Sequence, residues 1–166
     1  MMINPKTRKM TVTALMAAAV FVVTFLLPIP MPFAPSGYFN FGDVLIYLAA
    51  YMLGGPCGAV AGGLGAALAD LVVFPTYALP TAVIKGLMGL TCGKLMRGGD
   101  LRRFVLSSTL GGAIMVVGYA LFEWAFLFGF DIRLTLLSAL QNLIQWGGCV
   151  AIASAAFPAV RRLPTI

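Results

Sequence analysis

The chain has 166 residues, of which 61% are hydrophobic and only 10% are charged, and its mean hydropathy is +0.99. Soluble domains contain about 25% charged residues, so this composition predicts an integral membrane protein without room for a soluble catalytic domain. The net charge of +6 would suggest nucleic acid as a partner of a polar chain. Here the basic residues flank apolar segments, so membrane topology explains them and no nucleic acid is expected.

The first apolar segment, residues 10–27, follows several basic residues and therefore looks like the start of a signal peptide. The sequence after it, PIPMPFAPSG, is rich in proline and offers no small-residue cleavage site. We therefore expect this segment to be retained as the first membrane helix.

Prolines, glycines and charges divide the chain into apolar segments that are each predicted to be a membrane-spanning helix. There are six, at residues 10–27, 39–53, 56–73, 80–96, 103–128 and 134–160. At 1.5 Å per residue the second would be about 22 Å long, shorter than the ~30 Å hydrocarbon core. The turn that follows it is therefore expected slightly inside the membrane.

Most basic residues lie at segment ends that six crossings would bring to one side of the membrane. They are Lys6, Arg8, Lys9, Lys94, Arg97, Arg102, Arg103, Arg161 and Arg162. Only Lys85 and Arg133 lie elsewhere, and the positive-inside rule makes the basic side cytoplasmic. The predicted fold is an all-α integral membrane protein in which residues 1–166 form a single six-transmembrane-helix bundle, with N- and C-termini cytoplasmic.

Small residues recur at every fourth position in two of the predicted spans. The third span contains the rows Gly58, Gly62, Ala66 and Gly55, Ala59, Gly63, Ala67. This spacing lets helix backbones approach closely in lipid, and we expect the third helix to be central. In the first span, Ala14 and Ala18 have the same spacing, which fits either packing within the bundle or docking against another membrane subunit.

Three charged residues lie in apolar surroundings near the predicted outer ends of their spans. Asp70, Lys85 and Glu123 are each three to five residues from such an end, or ~5–8 Å deep. Charges at this depth cost several kcal/mol unless they are paired or face water, and they mark functional sites by default. The alternative is a buried ion pair of Asp70 and Lys85 that only orders the third and fourth helices.

Amides and aromatic residues are expected in the same outer layer as these charges. The sixth span contributes QNLIQWGG, with Gln141 and Gln145 four residues apart, and the outer loops contribute aromatic residues and an amide. Such a set describes a pocket for a small, polar, flat ligand. The predicted substrate-binding residues are Tyr38, Asn40, Asp70, Tyr77, Lys85, Glu123, Asn142, Gln145 and Trp146.

Several other residues have simpler interpretations. Trp124, Trp146 and Tyr119 also fit core or interface packing, and Asp43 fits an N-cap of the second helix better than a ligand contact. Asp131 is expected to be a solvated loop charge.

The sequence contains few residues that could serve catalysis, metal binding or proton transport. It contains no histidine, and no cysteine or acidic spacing typical of a metal site, so we predict no catalytic residue, no metal and no cofactor. A proton relay needs titratable groups across the membrane, and the inner halves of the spans contain almost none. A channel or a self-sufficient pump is therefore disfavoured.

One continuous stretch resembles a known family. It is FNFGDVLIYLAAYMLGGPCGAVAGGLGAALADLVVFPTYALPTAVIKGLMGLTCGKL, with a Gly-Asp start of the second helix, a glycine-rich third helix ending in ALADL, and PTAVIKGLMG. It is similar to the substrate-binding S subunits of energy-coupling factor (ECF) transporters, most of all to the branch for riboflavin, hydroxymethylpyrimidine or pyridoxine uptake.

The resemblance implies a six-helix protein that binds a vitamin near the outer face and has no ATPase of its own. Its implied partners are membrane lipid, a transmembrane coupling subunit and two cytoplasmic ATPases. The family's first helix carries an alanine-x-x-x-alanine motif that contacts the coupling subunit; Ala14 and Ala18 match it, which favours docking. The first outer loop, PIPMPFAPSGYFN, is implied to gate the pocket.

The expected function is therefore a substrate-binding subunit of an ECF-type ABC importer in the cell membrane. It would capture a small water-soluble vitamin for ATP-driven uptake by its partners, and it would not be an enzyme. The alternative is a solitary small-molecule carrier that works without ATPase partners. A membrane-embedded enzyme is a more distant third.

Overall fold

The computed structural model describes residues 4–96 and 99–163, and these form six α-helices, as the sequence predicts. The helices are α1 (Pro5–Leu26), α2 (Gly42–Leu53), α3 (Gly55–Val73), α4 (Pro75–Leu95), α5 (Leu101–Phe122) and α6 (Ile132–Val160). A π-helical turn, Glu123–Leu127, extends α5. Arg97, one of the basic residues assigned to the cytoplasmic side, lies outside the described residues.

The loop of residues 28–40, between α1 and α2, contains a small antiparallel sheet. Strand β1 (Pro28–Ile29) pairs with strand β2 (Phe39–Asn40), so that Pro28 faces Asn40 and Ile29 faces Phe39. The pairing brings both ends of the loop together directly before α2.

The start of α4 differs from the prediction. The helix begins at Pro75, and only Phe74 separates it from α3, so the sequence FPTYALP is mostly helix rather than loop. Pro75 suits the first helical position because its missing N–H would be unsatisfied there anyway, and Pro80 lies inside the helix. Tyr77 is therefore in the first turn of α4.

The helices differ in their ability to cross a membrane. Among the described residues, four helical segments are long and apolar enough, namely α1, α3, α5 with its π-turn, and α6. The helix α2 has 12 residues, or about 18 Å, and α4 has 21 residues but is less apolar. The prediction of six crossings rests on these two helices.

Glycine lets α3 and α4 pack backbone against backbone. A Cβ atom added to Gly89 would overlap the Gly58 carbonyl oxygen, and one added to Gly63 would lie 2.7 Å from the Ala82 carbonyl oxygen. Small residues permit this approach. The helix α3 also contacts α1 and α2, which confirms that its small-residue rows pack inside the bundle.

The helix α1 turns one face to the bundle and leaves the predicted motif uncovered. Its buried residues are Thr13, Val20 and Thr24, and a Cβ atom added to Gly65 would lie 2.5 Å from the Ala17 carbonyl oxygen. Ala14 and Ala18 are both exposed. The described part of the chain therefore does not use this pair for packing within the bundle.

The two ends of the bundle have different chemistry. Where α2 ends and α5 begins, the rings of Tyr51, Phe104 and Phe157 pack with centroids 4.7 to 5.9 Å apart. The basic residues at the start of α5 and the end of α6 lie at this end. The opposite end, where loop 28–40 lies, holds the buried charged and amide side chains.

Candidate ligand-binding cavity

A small polar cavity lies beneath loop 28–40, among α3, α4, α5 and α6. Its lining consists of Gly37, Tyr38, Asn40, Asp70, Tyr77, Lys85, Tyr119, Glu123, Gln141, Asn142 and Gln145. Its volume is about 40 Å³, enough for a few water molecules. A vitamin-sized ligand therefore needs loop 28–40 or the lining side chains to move.

Loop 28–40 is fastened over the cavity by two side chains. The Tyr38 hydroxyl donates a hydrogen bond to Asp70 Oδ1, and the Tyr38 ring stacks on Phe74 at 5.3 Å between centroids. Burial and the nearby Asp70 carboxylate raise the pKa of Tyr38, so it stays a protonated donor. Ser36 Oγ lies 2.7 Å from the Tyr77 hydroxyl. Between these contacts Gly37 has a φ of +79°, which favours glycine.

A first group of buried polar side chains is joined into a closed set of hydrogen bonds, here called the Asp43 cluster (Asn40, Asp43, Lys85, Met115 and Gln145). Lys85 Nζ donates to Asp43 Oδ1, and both side chains are at most 2% exposed. Lys85 Nζ also lies 3.0 Å from Met115 Sδ. Gln145 Nε2 donates to Asp43 Oδ2 at 2.6 Å, and Gln145 Oε1 accepts the Asn40 N–H at 2.8 Å. Every oxygen of Asp43 and Gln145 thus has a partner.

The Asp43 cluster corrects two predictions. Asp43 is not the N-cap of α2: Phe41 occupies that position without a side-chain cap bond. The ion pair of Lys85 is with Asp43, and neither with Asp70 nor with Glu123. The reason is the short α2, which begins at Gly42 and brings its first turn to the level of Lys85, ten residues into α4.

Asp70 is held by hydroxyl groups instead. Its Oδ1 accepts from Tyr38 and its Oδ2 accepts from Thr81 Oγ1 at 2.5 Å. Because the single Thr81 proton goes to Asp70, the Tyr119 hydroxyl at 2.7 Å must be the donor to Thr81. Lys85 Nζ lies 5.5 Å from the centre of the Tyr119 ring, within range of a cation–π interaction.

A second group of buried polar side chains remains incomplete, here called the Glu123 cluster (Tyr77, Glu123 and Gln141). The Tyr77 hydroxyl donates to Glu123 Oε1 at 2.9 Å. Glu123 Oε2 and Gln141 Oε1 have no hydrogen-bond partner among the described residues, although each residue is only 2% exposed. The Ser138 side chain is close enough to the Glu123 carboxylate to count as a hydrogen-bond partner of it, although no donor meets full hydrogen-bond geometry at Oε2.

The structure brings together eight of the nine predicted site residues. All of them except Trp146 line the cavity. Trp146 packs between helices, so closely that a Cβ atom added to Gly112 of α5 would overlap Trp146 Cδ1. Of the other two aromatic residues considered, Tyr119 lines the cavity and Trp124 packs on Phe130 with ring centroids 4.8 Å apart.

The site also includes residues that the sequence prediction did not select. Gln141 lines the cavity, and its position four residues before Gln145 on one helix face was the available signal. Thr81 and Met115 carried no such signal, because their partners come from distant parts of the chain. Within residues 4–96 and 99–163, no group of three or more His, Cys, Asp or Glu side chains could hold a metal ion.

Comparison with known proteins identifies the class to which this fold belongs. The chain superposes on the crystal structure of the S-component for biotin from an ECF-type ABC transporter with a TM-score of 0.74. The match covers 98% of this chain and 93% of the other at 19% sequence identity. The shared feature is therefore the S-component fold.

The family follows from the sequence itself. Residues 4–164 match the family model for the ECF-type riboflavin transporter, S component, so the chain belongs to this family and is a multi-pass membrane protein. The thiamine precursor transporter HmpT of Lactococcus lactis subsp. cremoris is 30% identical over 125 residues, which are 75% of either chain. An uncharacterized protein of Pyrococcus woesei is 47% identical over 102 residues, 61% of this chain and 68% of that protein. The resemblance to ECF S subunits is thus confirmed.

Proposed function

We propose that the chain is the substrate-binding subunit of an ECF-type ABC importer. It captures a small water-soluble vitamin (riboflavin, pyridoxine or a hydroxymethylpyrimidine-like compound) at the outer face of the membrane. The observation that carries this proposal is the polar cavity beneath loop 28–40 in a protein of the S-component family. A buried set of amides, carboxylates and tyrosines suits a flat polar ligand.

In the membrane, the six helices form one domain, residues 1–166, with both termini in the cytoplasm. The distribution of basic residues supports this orientation, because they cluster at the end opposite the cavity. The cavity then faces the outside, where loop 28–40 acts as its lid. The 40 Å³ volume supports a lid that moves for the ligand, since the cavity in this conformation holds only a few water molecules.

Uptake depends on a transmembrane coupling subunit and two cytoplasmic ATPases. The exposed small-residue pair of α1, Ala14 and Ala18, supports a docking role because nothing within the described chain covers it. Small side chains allow a partner helix to approach closely in lipid. A solitary carrier would work without these subunits, so a requirement for them in uptake distinguishes the proposed importer from it.

The ligand is identified by mass spectrometry of compounds retained by the detergent-purified protein, followed by titration of the same compounds into washed protein. We expect one vitamin to be retained and to rebind with saturation. Retention of no small molecule, together with no binding of riboflavin, pyridoxine or hydroxymethylpyrimidine, would contradict the proposal.

Docking is tested with Ala18→Leu, using Ala151→Leu as the control, because Ala151 is an exposed alanine on α6. We expect Ala18→Leu to reduce co-purification with the coupling subunit and uptake, while ligand affinity stays unchanged and Ala151→Leu behaves as wild type. Uptake that is equal with and without the ATPase subunits would instead favour the solitary carrier.

A further inference from the structure

A second concave site lies at the end of the bundle opposite the cavity, between the start of α5 and the end of α6. This site, here called the α5–α6 groove, is lined by Leu101, Phe157, Pro158, Arg161 and Arg162, and its volume is about 400 Å³. Small-molecule sites occupy roughly 300–1,000 Å³. The α5–α6 groove therefore has room for a ligand without movement of the chain, and the proposed vitamin binding does not use it.

The α5–α6 groove combines an apolar wall with a cationic rim. Leu101 is 44% exposed and Pro158 is also exposed, although both are apolar, and the buried Phe157 packs beside them. Arg161 and Arg162 follow directly after α6, and both are exposed. A ligand that contacts both parts must be amphiphilic, with an apolar portion along the wall and an anionic group at the arginines.

The positive charge at this end of the bundle is not balanced by the described part of the chain. Within residues 4–96 and 99–163, neither Arg161 nor Arg162 forms an ion pair. Asp100 is the only one of the five acids at this end, and its carboxylate accepts the Arg103 N–H at 3.0 Å to cap α5. An exposed Arg102 adds further positive charge beside it. An anion from outside the chain can therefore balance this excess.

The position of the α5–α6 groove favours a lipid as the source of this anion. The basic end is cytoplasmic in the proposed orientation, and basic pockets between helices on that side bind the head groups of anionic phospholipids. The pair proposed to dock on the coupling subunit, Ala14 and Ala18, lies on α1, which packs on α2 and α3, whereas α5 and α6 pack on each other. The groove thus belongs to helices that this docking does not involve.

We propose that the α5–α6 groove binds one anionic phospholipid of the cytoplasmic leaflet. The lipid phosphate lies beside Arg161 and Arg162, whose planar guanidinium groups each offer two parallel N–H donors to phosphate oxygens. An acyl chain lies along Leu101 and Pro158. The bound lipid bridges the first turn of α5 and the end of α6, and this role does not depend on which vitamin the protein binds.

The first test compares two lipids that differ in net charge. Native mass spectrometry follows the detergent-purified protein during titration with phosphatidylglycerol or with phosphatidylcholine of the same chain length. We expect one phosphatidylglycerol to bind at least tenfold more tightly than phosphatidylcholine. Millimolar inorganic phosphate should not displace it, because phosphate has no apolar portion. Equal affinity for the two lipids, or displacement by inorganic phosphate, would overturn the proposal.

The second test removes the cationic rim with Arg161→Gln and Arg162→Gln combined. We expect phosphatidylglycerol to bind at least tenfold more weakly, since each basic residue beside an anionic lipid contributes roughly fivefold in affinity. The matched control, Lys6→Gln with Arg8→Gln, removes the same charge from exposed residues of α1 and should stay within threefold of wild type. An equal loss in the control would overturn the proposal, because net charge alone would then attract the lipid.

The third test changes the apolar wall and leaves every charge in place. We expect Leu101→Gln to weaken phosphatidylglycerol binding at least threefold, whereas Leu106→Gln, at an exposed leucine of α5 outside the groove, should bind as wild type does. Thermal unfolding verifies that all variants are folded. Unchanged binding by Leu101→Gln would overturn the proposal. So would an arginine variant that kept its lipid preference but no longer co-purified with the coupling subunit or ATPases, since the groove would then be a protein-docking surface.

Discussion

The Asp43 cluster and the Glu123 cluster are both buried and both contain a carboxylate, but they differ in whether their hydrogen bonds are complete. In the Asp43 cluster, each carboxylate oxygen has a donor and the charge is balanced by Lys85. In the Glu123 cluster, one carboxylate oxygen has none among the described residues. The difference teaches that burial and charge alone do not identify a binding residue, and it makes Glu123, rather than Asp43, the candidate for contact with a ligand.

The location of each cluster explains this difference. The Asp43 cluster takes side chains from α2, α4, α5 and α6, so that its hydrogen bonds hold four helices together. Glu123 begins the π-turn that ends α5, and such turns occur frequently at functional sites. Tyr77 of α4 donates to its first oxygen there, which leaves the second oxygen available.

The largest expected effect is the loss of stability in Lys85→Ala. The substitution leaves Asp43 charged and unpaired in a fully buried position, at a cost of roughly 3–5 kcal/mol. Denaturant unfolding in detergent measures this cost as a lower free energy of unfolding. A loss below about 1 kcal/mol would show that the Asp43 cluster does not hold the bundle together.

The double variant Asp43→Asn with Lys85→Met is the control for this prediction. It removes both charges, while the asparagine side chain introduced on α2 keeps an oxygen for Gln145. We expect most of the stability to return and ligand affinity to stay within threefold of wild type. An affinity at least tenfold weaker in the folded double variant would show that Lys85 donates to the ligand, as the sequence alone suggested.

A smaller effect is expected for Gln141→Leu, and it should fall on ligand affinity instead of on the free energy of unfolding. Its buried oxygen has no partner among the described residues, so its removal should not lower the free energy of unfolding. The ligand, however, loses one hydrogen bond worth about 1 kcal/mol, or about fivefold in affinity. Thermal unfolding and ligand titration on the same preparation separate the two; lower stability with unchanged affinity would place Gln141 with the structural residues.

The smallest effect is expected for Tyr38→Phe, which removes the bond from loop 28–40 to Asp70. Tyr38 is half-buried, so one net hydrogen bond of about 0.5–1.5 kcal/mol is at stake. Protease should cleave loop 28–40 about threefold faster, and saturating ligand should slow cleavage in wild type. Tyr51→Phe, at the opposite end, is the control. Equal cleavage with and without ligand would contradict a gating role for the loop.

The sequence was sufficient for the helices and for the position of the cavity. Apolar segments bounded by Pro, Gly and charges predicted all six helices, because these residues end helices by local chemistry. The predicted depths of Asp70, Lys85 and Glu123 along their helices placed them in one layer. All three line one cavity, although Lys85 lies deeper than predicted. The resemblance carried by the ALADL and PTAVIKGLMG stretches was confirmed by the family match.

The partners of the charged residues could not be predicted in the same way. Lys85 is 15 residues from Asp70 but 42 residues from Asp43, and it pairs with Asp43. The pairing with Asp43 depends on where the short α2 begins. The apolar segment 39–53 gave no sign that residues 39–41 precede the helix. Trp146 illustrates the same limit, since the glycine that receives its ring, Gly112, lies on another helix.

The most direct test of the account is an experimental structure of the protein with the ligand that it retains. We predict a ligand donor atom about 2.7–3.2 Å from Glu123 Oε2, with the ion pair of Lys85 and Asp43 intact behind the cavity wall. A ligand bonded to Lys85 Nζ with that ion pair broken, and with Glu123 Oε2 still unpaired, would contradict it.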